Sequence, residues 1–186
     1  MKRGLLLMVI VLLSASVAFA QLPGGAVGVY ADELGTSCNF VDGPLFTFYM
    51  YHLSSPGATA VEFQLDITGV PVGMHLGDVT PFLLKQGAFA DGTSIAYQAC
   101  LSNNVYLGAA NYISAGPAPV CLAIHIIAHP IPSVSGATTP LAYSCASEFM
   151  ETSGSMGTFN NDGSCLCTGS TPVNESSWGQ IKSLYN

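Results

Sequence analysis

Six cysteines, Cys38, Cys100, Cys121, Cys145, Cys165 and Cys167, restrict what this chain can fold into more than any other feature. An even set of thiols pairs into disulfides when a chain folds in an oxidising compartment, and stays reduced in a cytosol. The opening residues decide between the two. Lys2 and Arg3 precede an unbroken apolar run from Gly4 to Leu13, and Ala18-Phe19-Ala20 presents small residues where a signal peptidase reads them. That run is too short to cross a bilayer core of about 30 Å as a helix. No later stretch is long and apolar enough to do so. Residues 1–20 are therefore expected to be a signal peptide, and the exported chain to begin at Gln21 with no membrane span and no lipid anchor. Its destination is the periplasm, the cell surface or the medium.

Export makes three disulfides the expectation for the six cysteines. A thiolate metal site would be announced by C-x-x-C pairs, and the chain has none. Cys165 and Cys167 form a C-x-C instead. In extended chain their sulfurs share one face, which suits bonding to two different partners better than to each other. Spacing alone selects none of the possible pairings.

Charge excludes whole classes of function. Charged residues make up 8% of the chain, where about 25% is ordinary. Once the leader is cut, Lys85 and Lys182 stand alone against eleven acids. Nucleic-acid binding needs clustered cations to neutralise phosphate, and so does attraction to anionic lipid. Neither is expected.

The remaining sequence has the rhythm of short strands: runs rich in Val, Ile, Phe, Tyr and Thr broken by Gly, Pro, Asn, Asp and Ser. In Ala60–Thr68, Val61, Phe63, Leu65 and Ile67 alternate with Glu62, Gln64 and Asp66, which predicts a strand with the acids facing water. Leu45–Leu53 and Val120–Ile127 are apolar on both faces and call for cover on both. Further strands are expected at 26–30, 79–84, 94–100, 105–114, 141–146 and around 158–159. Turns are expected at Ser55-Pro56-Gly57 and Asn103-Asn104, among others. Trp178, Ile181, Leu184 and Tyr185 then recur at helical spacing. The fold class expected is all-β: an antiparallel, Ig-like β-sandwich over 21–170, disulfide-linked, with a short C-terminal helix over 171–186 that packs on it.

Candidate chemistry is sparse. His125 and His129 would share a metal on a helix, but on a strand they lie about 13 Å apart. His52 and His75 are isolated. Asn160-Asn161-Asp162-Gly163-Ser164 offers oxygens and a glycine but lacks the spacing and distal Glu of a calcium loop; a hairpin turn explains it more simply. Asp32-Glu33 reads as a solvated loop. Gly154-Ser155-Met156-Gly157 is not a nucleophile elbow, and phosphate-cradling loops are absent. Asn174-Glu175-Ser176 fits a glycosylation sequon. No catalytic, metal or cofactor residue is expected, and the protein is not expected to be an enzyme.

Two stretches mark kinship. Gly28, Tyr30, Ala31, Asp32, Gly35 and Cys38 give a G-x-Y-A-D…G…C opening, and Ser177, Trp178, Gly179, Ile181, Lys182, Leu184 and Tyr185 give an S-W-G-x-I-K-x-L-Y ending. With the late C-x-C, they make the chain resemble a set of uncharacterised exported bacterial proteins. The resemblance implies bacterial origin and an Ig-like sandwich, and it implies no catalytic residue. The function expected from the chain is that of a secreted or surface-displayed structural module. It would associate with itself or with another surface protein. The alternative is a glycan-binding module whose tyrosines stack on sugar rings.

Overall fold

The structure is a computed structural model that describes residues 22–165 and 167. The expected signal peptide, the sequon and the expected C-terminal helix lie outside those residues. Within them the chain is all-β, without a helix. Its strands are β1 (Ala26–Tyr30), β2 (Asn39–Phe40), β3 (Leu45–Asp66), β4 (Val72–Val79), β5 (Leu84–Gln86), β6 (Thr93–Ser114), β7 (Leu122–Ile127), β8 (Leu141–Ser144), β9 (Phe149–Glu151), β10 (Ser153–Gly154) and β11 (Met156–Phe159). They join into one hydrogen-bonded, curled sheet. Pairing is antiparallel except for β1 with β10 and β2 with β11.

Two long strands organise this sheet. β3 and β6 pair antiparallel from Leu45 opposite Ile113 to Phe63 opposite Thr93. The sequence predicts each as two strands with a turn between, because Pro56, Gly57, Asn103 and Asn104 carry turn chemistry. The structure instead sets Ser55 opposite Asn103, so the two irregular stretches face each other inside one ladder. Ser54, Gly57 and Asn103 adopt φ of 51°, 126° and 68° there. These are bulges, which insert unpaired residues, bend the strand and reset which face each side chain takes. Before the bulge Phe46, Phe48 and Met50 point into the core; beyond it Val61, Phe63 and Leu65 do.

The bend is pinned covalently. Cys100 on β6 is bonded to Cys145 just after β8, with Cα atoms 5.5 Å apart. A Cβ on Gly57 would stand 3.3 Å from the Cys145 sulfur, a tight approach, and the φ of 126° is one that favours glycine. Past the bend β3 pairs with β8 through residues 58–62, and then with β7 through Gln64–Asp66. One strand thus links the β1–β3–β6 part of the sheet to the β7–β11–β2 part.

Apolar side chains from these two parts meet in the core. Phe159 of β11 lies 5.0 Å from Phe46 and 5.3 Å from Phe40, ring centre to ring centre, and Phe40 lies 5.2 Å from Phe48. Ile124, Ile126, Val27 and Val29 complete the set. Tilted and edge-on ring pairs of this kind add to the burial they share. The segment after β11 is tied down twice, through Cys121–Cys165 and Cys38–Cys167 (Cα–Cα 5.4 and 5.9 Å). The two sulfurs of the C-x-C do reach different partners.

Of the two strands expected to need cover on both faces, β7 is a correction, whereas the first half of β3 is covered on its outer face as well. β7 buries only Ile124 and Ile126, while His125 and Ile127 are exposed. The outer face of β3 is covered by tyrosines and one loop. Tyr51 packs 5.7 Å from Tyr30 and 5.2 Å from Tyr106, and its hydroxyl donates to the Glu33 carbonyl.

Candidate functional site

The residues with chemical potential are taken up one by one by the fold. Asp32 accepts N–H bonds from Leu34 (2.9 Å), Thr36 (3.1 Å) and Ser37, closing the loop after β1. Burial pushes its carboxyl up, but those N–H groups outweigh it and hold the pKa below the usual value. Ser155 is buried between β10 and β11, and its Oγ accepts the Val29 N–H at 3.0 Å. That hydroxyl fixes the point where the chain passes from β1 to β7. In the 160–164 loop, Gly163 N–H donates to Asn161 Oδ1 (2.8 Å), and Ser164 N–H and O–H donate to Asp162 Oδ1 (2.9 and 2.6 Å). No strand follows among the described residues, so this is a disulfide-anchored loop rather than the expected hairpin turn. Among the described residues, Cys121, Asp162 and Cys165 are the one His/Cys/Asp/Glu group close enough to share an ion. Both sulfurs are already bonded to each other.

The histidines stay apart. His125 is exposed opposite Asp66 in the ladder. His129 follows β7, with the Ile131 N–H donating to its Nδ1 at 3.1 Å. His52 is fully buried. The Gly24 carbonyl can only accept, so Nε2 donates to it (2.6 Å), and Nδ1 accepts from the Tyr97 hydroxyl (2.9 Å). Burial holds the imidazole below its usual pKa of 6.5, against the pull of the Gly24 carbonyl. The unfolded chain therefore binds a proton as pH falls through 6.5, while the folded chain still resists it. Stability is full above 6.5 and is lost as pH falls from there toward the depressed folded value. The thermal midpoint should drop between pH 7.5 and pH 5.5, and His52→Gln should lack that part of the drop. A wild-type midpoint that is flat over this range would refute the assignment.

Asp78 gathers the described chain's one lysine. Its Oδ2 accepts from Lys85 Nζ (2.8 Å) and the Phe89 N–H (2.9 Å), and its Oδ1 accepts from His75 Nε2 (2.8 Å). Lys85 also donates to the Gly87 carbonyl and lies 4.7 Å over the Phe89 ring. With Lys85 held this way, the outer surface of the described residues has no lysine or arginine to spare.

That matters most along one side of β6. β3 occupies its other side; β4 and β5 pair with this one, and among the described residues no strand pairs with β4 or β5 beyond β6. This open edge carries Met74, Leu76 and Val79 on β4, then Leu83 and Leu84, all more than half exposed and Leu83 84% exposed. Its charges are Asp78 and Lys85, and the two are paired with each other. Natural edges are normally guarded by free lysines, prolines, bulges or inward charges; this one has Pro81, the register irregularities of β4 and the inward Asp78, and no free lysine. Sequence reading missed β4, because Gly73 and Gly77 break its alternation. The signal available was the absence of charge from Val72 to Leu84 apart from Asp78.

A cleft of about 390 Å³ opens where β3, β8 and the 128–140 loop meet. Glu62 of β3 lines it and is 8% exposed. Alternation predicts that Glu62 faces water. It is buried because β6 and β8 flank it on both sides, and Ser133 caps it: the N–H donates to Oε1 (2.8 Å), the hydroxyl to Oε2 (2.6 Å). Tyr143 and half-exposed Phe149 also line the cleft, with ring centres 5.1 Å apart. A neighbouring cleft of about 320 Å³ shares Phe149 and adds Glu151.

No family model matches this chain, and no curated protein does. Among solved structures it is similar to a cohesin module from the Clostridium perfringens ATCC13124 family 33 glycoside hydrolase. The TM-score is 0.46 at 7% identity, over 74% of this chain and 97% of that one. A likeness at that level carries no argument about function. Among the described residues, no helix is long and apolar enough to cross a membrane.

Proposed function

We propose that this protein is an exported, non-catalytic interaction module that associates with a second copy of itself through the β4–β5 edge. The carrying observation is that edge: unpaired backbone beside Met74, Leu76, Val79, Leu83 and Leu84, with its one acid neutralised internally. Elsewhere the described surface offers acids and no free lysine or arginine, so two copies meeting there would repel. The edge is where they meet without bringing like charges together. Strand-to-strand addition satisfies the open N–H and C=O groups and buries the apolar row. A two-fold axis presents the same strand from both copies, which closes the contact and ends growth at a dimer. An Ig-like β-sandwich is the reading of the curled sheet that we favour. The Phe159–Phe46–Phe40 contacts between the β11–β2 and β3 parts, and the passage of β3 between them, support it.

Light scattering coupled to size exclusion on the oxidised, leader-free chain tests the proposal. A dimer is expected, with salt leaving it intact because the contact is apolar. The double variant Leu76→Lys/Leu83→Lys should run as a monomer and match the wild-type thermal midpoint at dilutions where both are monomeric, since both side chains are exposed. A wild-type monomer up to about 100 μM, where contacts stronger than roughly 5.5 kcal/mol register, would overturn it.

A further inference from the structure

We infer that the Glu62 cleft is a binding site for an organic cation, a guanidinium or alkylammonium group such as an arginine or lysine side chain presents. The inference is independent of the edge contact. It starts from a carboxylate more than nine-tenths buried that forms no ion pair among the described residues. Lys85, the one lysine there, is bonded to Asp78. Burying an uncompensated carboxylate is costly, and hydrogen bonds from Ser133 offset only part of that. Each Glu62 oxygen accepts one bond from Ser133 and keeps a further lone pair.

The walls fit the same ligand. Tyr143 and Phe149 line the same cleft as the carboxylate, and a cation over an aromatic face is attracted by the ring quadrupole, most strongly when desolvated. Glu151 lines the adjoining cleft together with Phe149, adding a second negative charge nearby. Gln86 and Ser94 supply neutral polar atoms at the mouth. An anion would meet the Glu62 carboxylate in the cleft, and Lys85 in the neighbouring cleft is already held by Asp78. A neutral sugar could stack on Phe149 but would leave the Glu62 charge without a counter-ion.

Nα-acetyl-arginine amide, whose one charge is the guanidinium, is the probe. Nα-acetyl-citrulline amide is its neutral isostere, and a neutral hexasaccharide stands for the glycan alternative. Each is titrated into the oxidised, leader-free protein while the ring resonances of Tyr143 and Phe149 are followed. Saturable shifts are expected with the arginine probe, and roughly tenfold weaker binding with citrulline. Glu62→Gln, which keeps a planar group for Ser133, should lose binding by a similar factor. Phe149→Ala, at a half-exposed rim position that the fold does not need, should weaken it severalfold. Leu76→Lys/Leu83→Lys should leave it unchanged, which separates this site from the edge. Equal binding of arginine and citrulline, unaltered binding in either cleft variant, binding of the hexasaccharide alone, or no saturation below about 50 mM would each overturn the inference.

Discussion

Phe159→Ala is expected to lower the free energy of unfolding by about 4 kcal/mol, in the middle of the range for truncating a buried aromatic. Phe159 is fully buried, and its ring touches those of Phe40, Phe46 and Phe48 at centre distances of 5.3, 5.0 and 6.1 Å. Phe40 is its partner across the β11–β2 ladder, while Phe46 and Phe48 come from β3, with which β11 shares no ladder, so the ring joins two parts of the sheet through the core. Sheet curvature fixes those backbones, and the vacated space cannot close. The cost is the lost transfer energy plus the cavity. Against a total stability of roughly 5–15 kcal/mol, it leaves a marginal fold. Denaturant unfolding of the oxidised protein measures it, with Phe149→Ala as an exposed control expected to cost under about 1 kcal/mol. A loss below about 1 kcal/mol for Phe159→Ala would mean that the aromatic cluster is not the core.

The second large effect comes from the outermost bridge. Cys38 and Cys167 lie 129 residues apart. Closing a loop of that length in the unfolded chain is worth about 5 kcal/mol in the chain-entropy view. The intact Cys121–Cys165 bridge shortens the path between them, so the figure is an upper bound. Cys100–Cys145 and Cys121–Cys165 close loops of 45 and 44 residues, each worth about 4 kcal/mol on the same reasoning. Paired Cys→Ser variants, one bridge at a time, should all unfold at lower denaturant, with the Cys38/Cys167 pair lowest or level with the others. A pair whose removal leaves the midpoint unmoved would show that its bridge does not form.

Much of this fold can be read locally. β1 lies where β-propensity puts it, Ala26 to Tyr30, and Val61, Phe63 and Leu65 face inward as their alternation requires. Most of the failures share one cause: they depend on partners distant in sequence. Pro56-Gly57 and Asn103-Asn104 are turn signals taken alone. Only their pairing across the sheet turns both into bulges within 22-residue strands. Glu62 sits on the polar side of its strand, yet β8 and Ser133, some seventy residues on, enclose it. β4 escaped notice because its glycines weaken the pattern and its open edge needs no second strand. The edge and the cleft are therefore the parts of the candidate site least visible in the sequence.

Concentration-dependent hydrogen exchange tests the open edge most directly. Amides of Val72–Val79 and Leu84–Gln86 would be compared at about 1 μM and about 200 μM in the oxidised protein, with Phe149–Glu151 as reference. Slowing of the β4 and β5 amides by tenfold or more at the higher concentration, with the reference unchanged, is the expected result. Identical rates at both concentrations would contradict an edge that seals against a second copy.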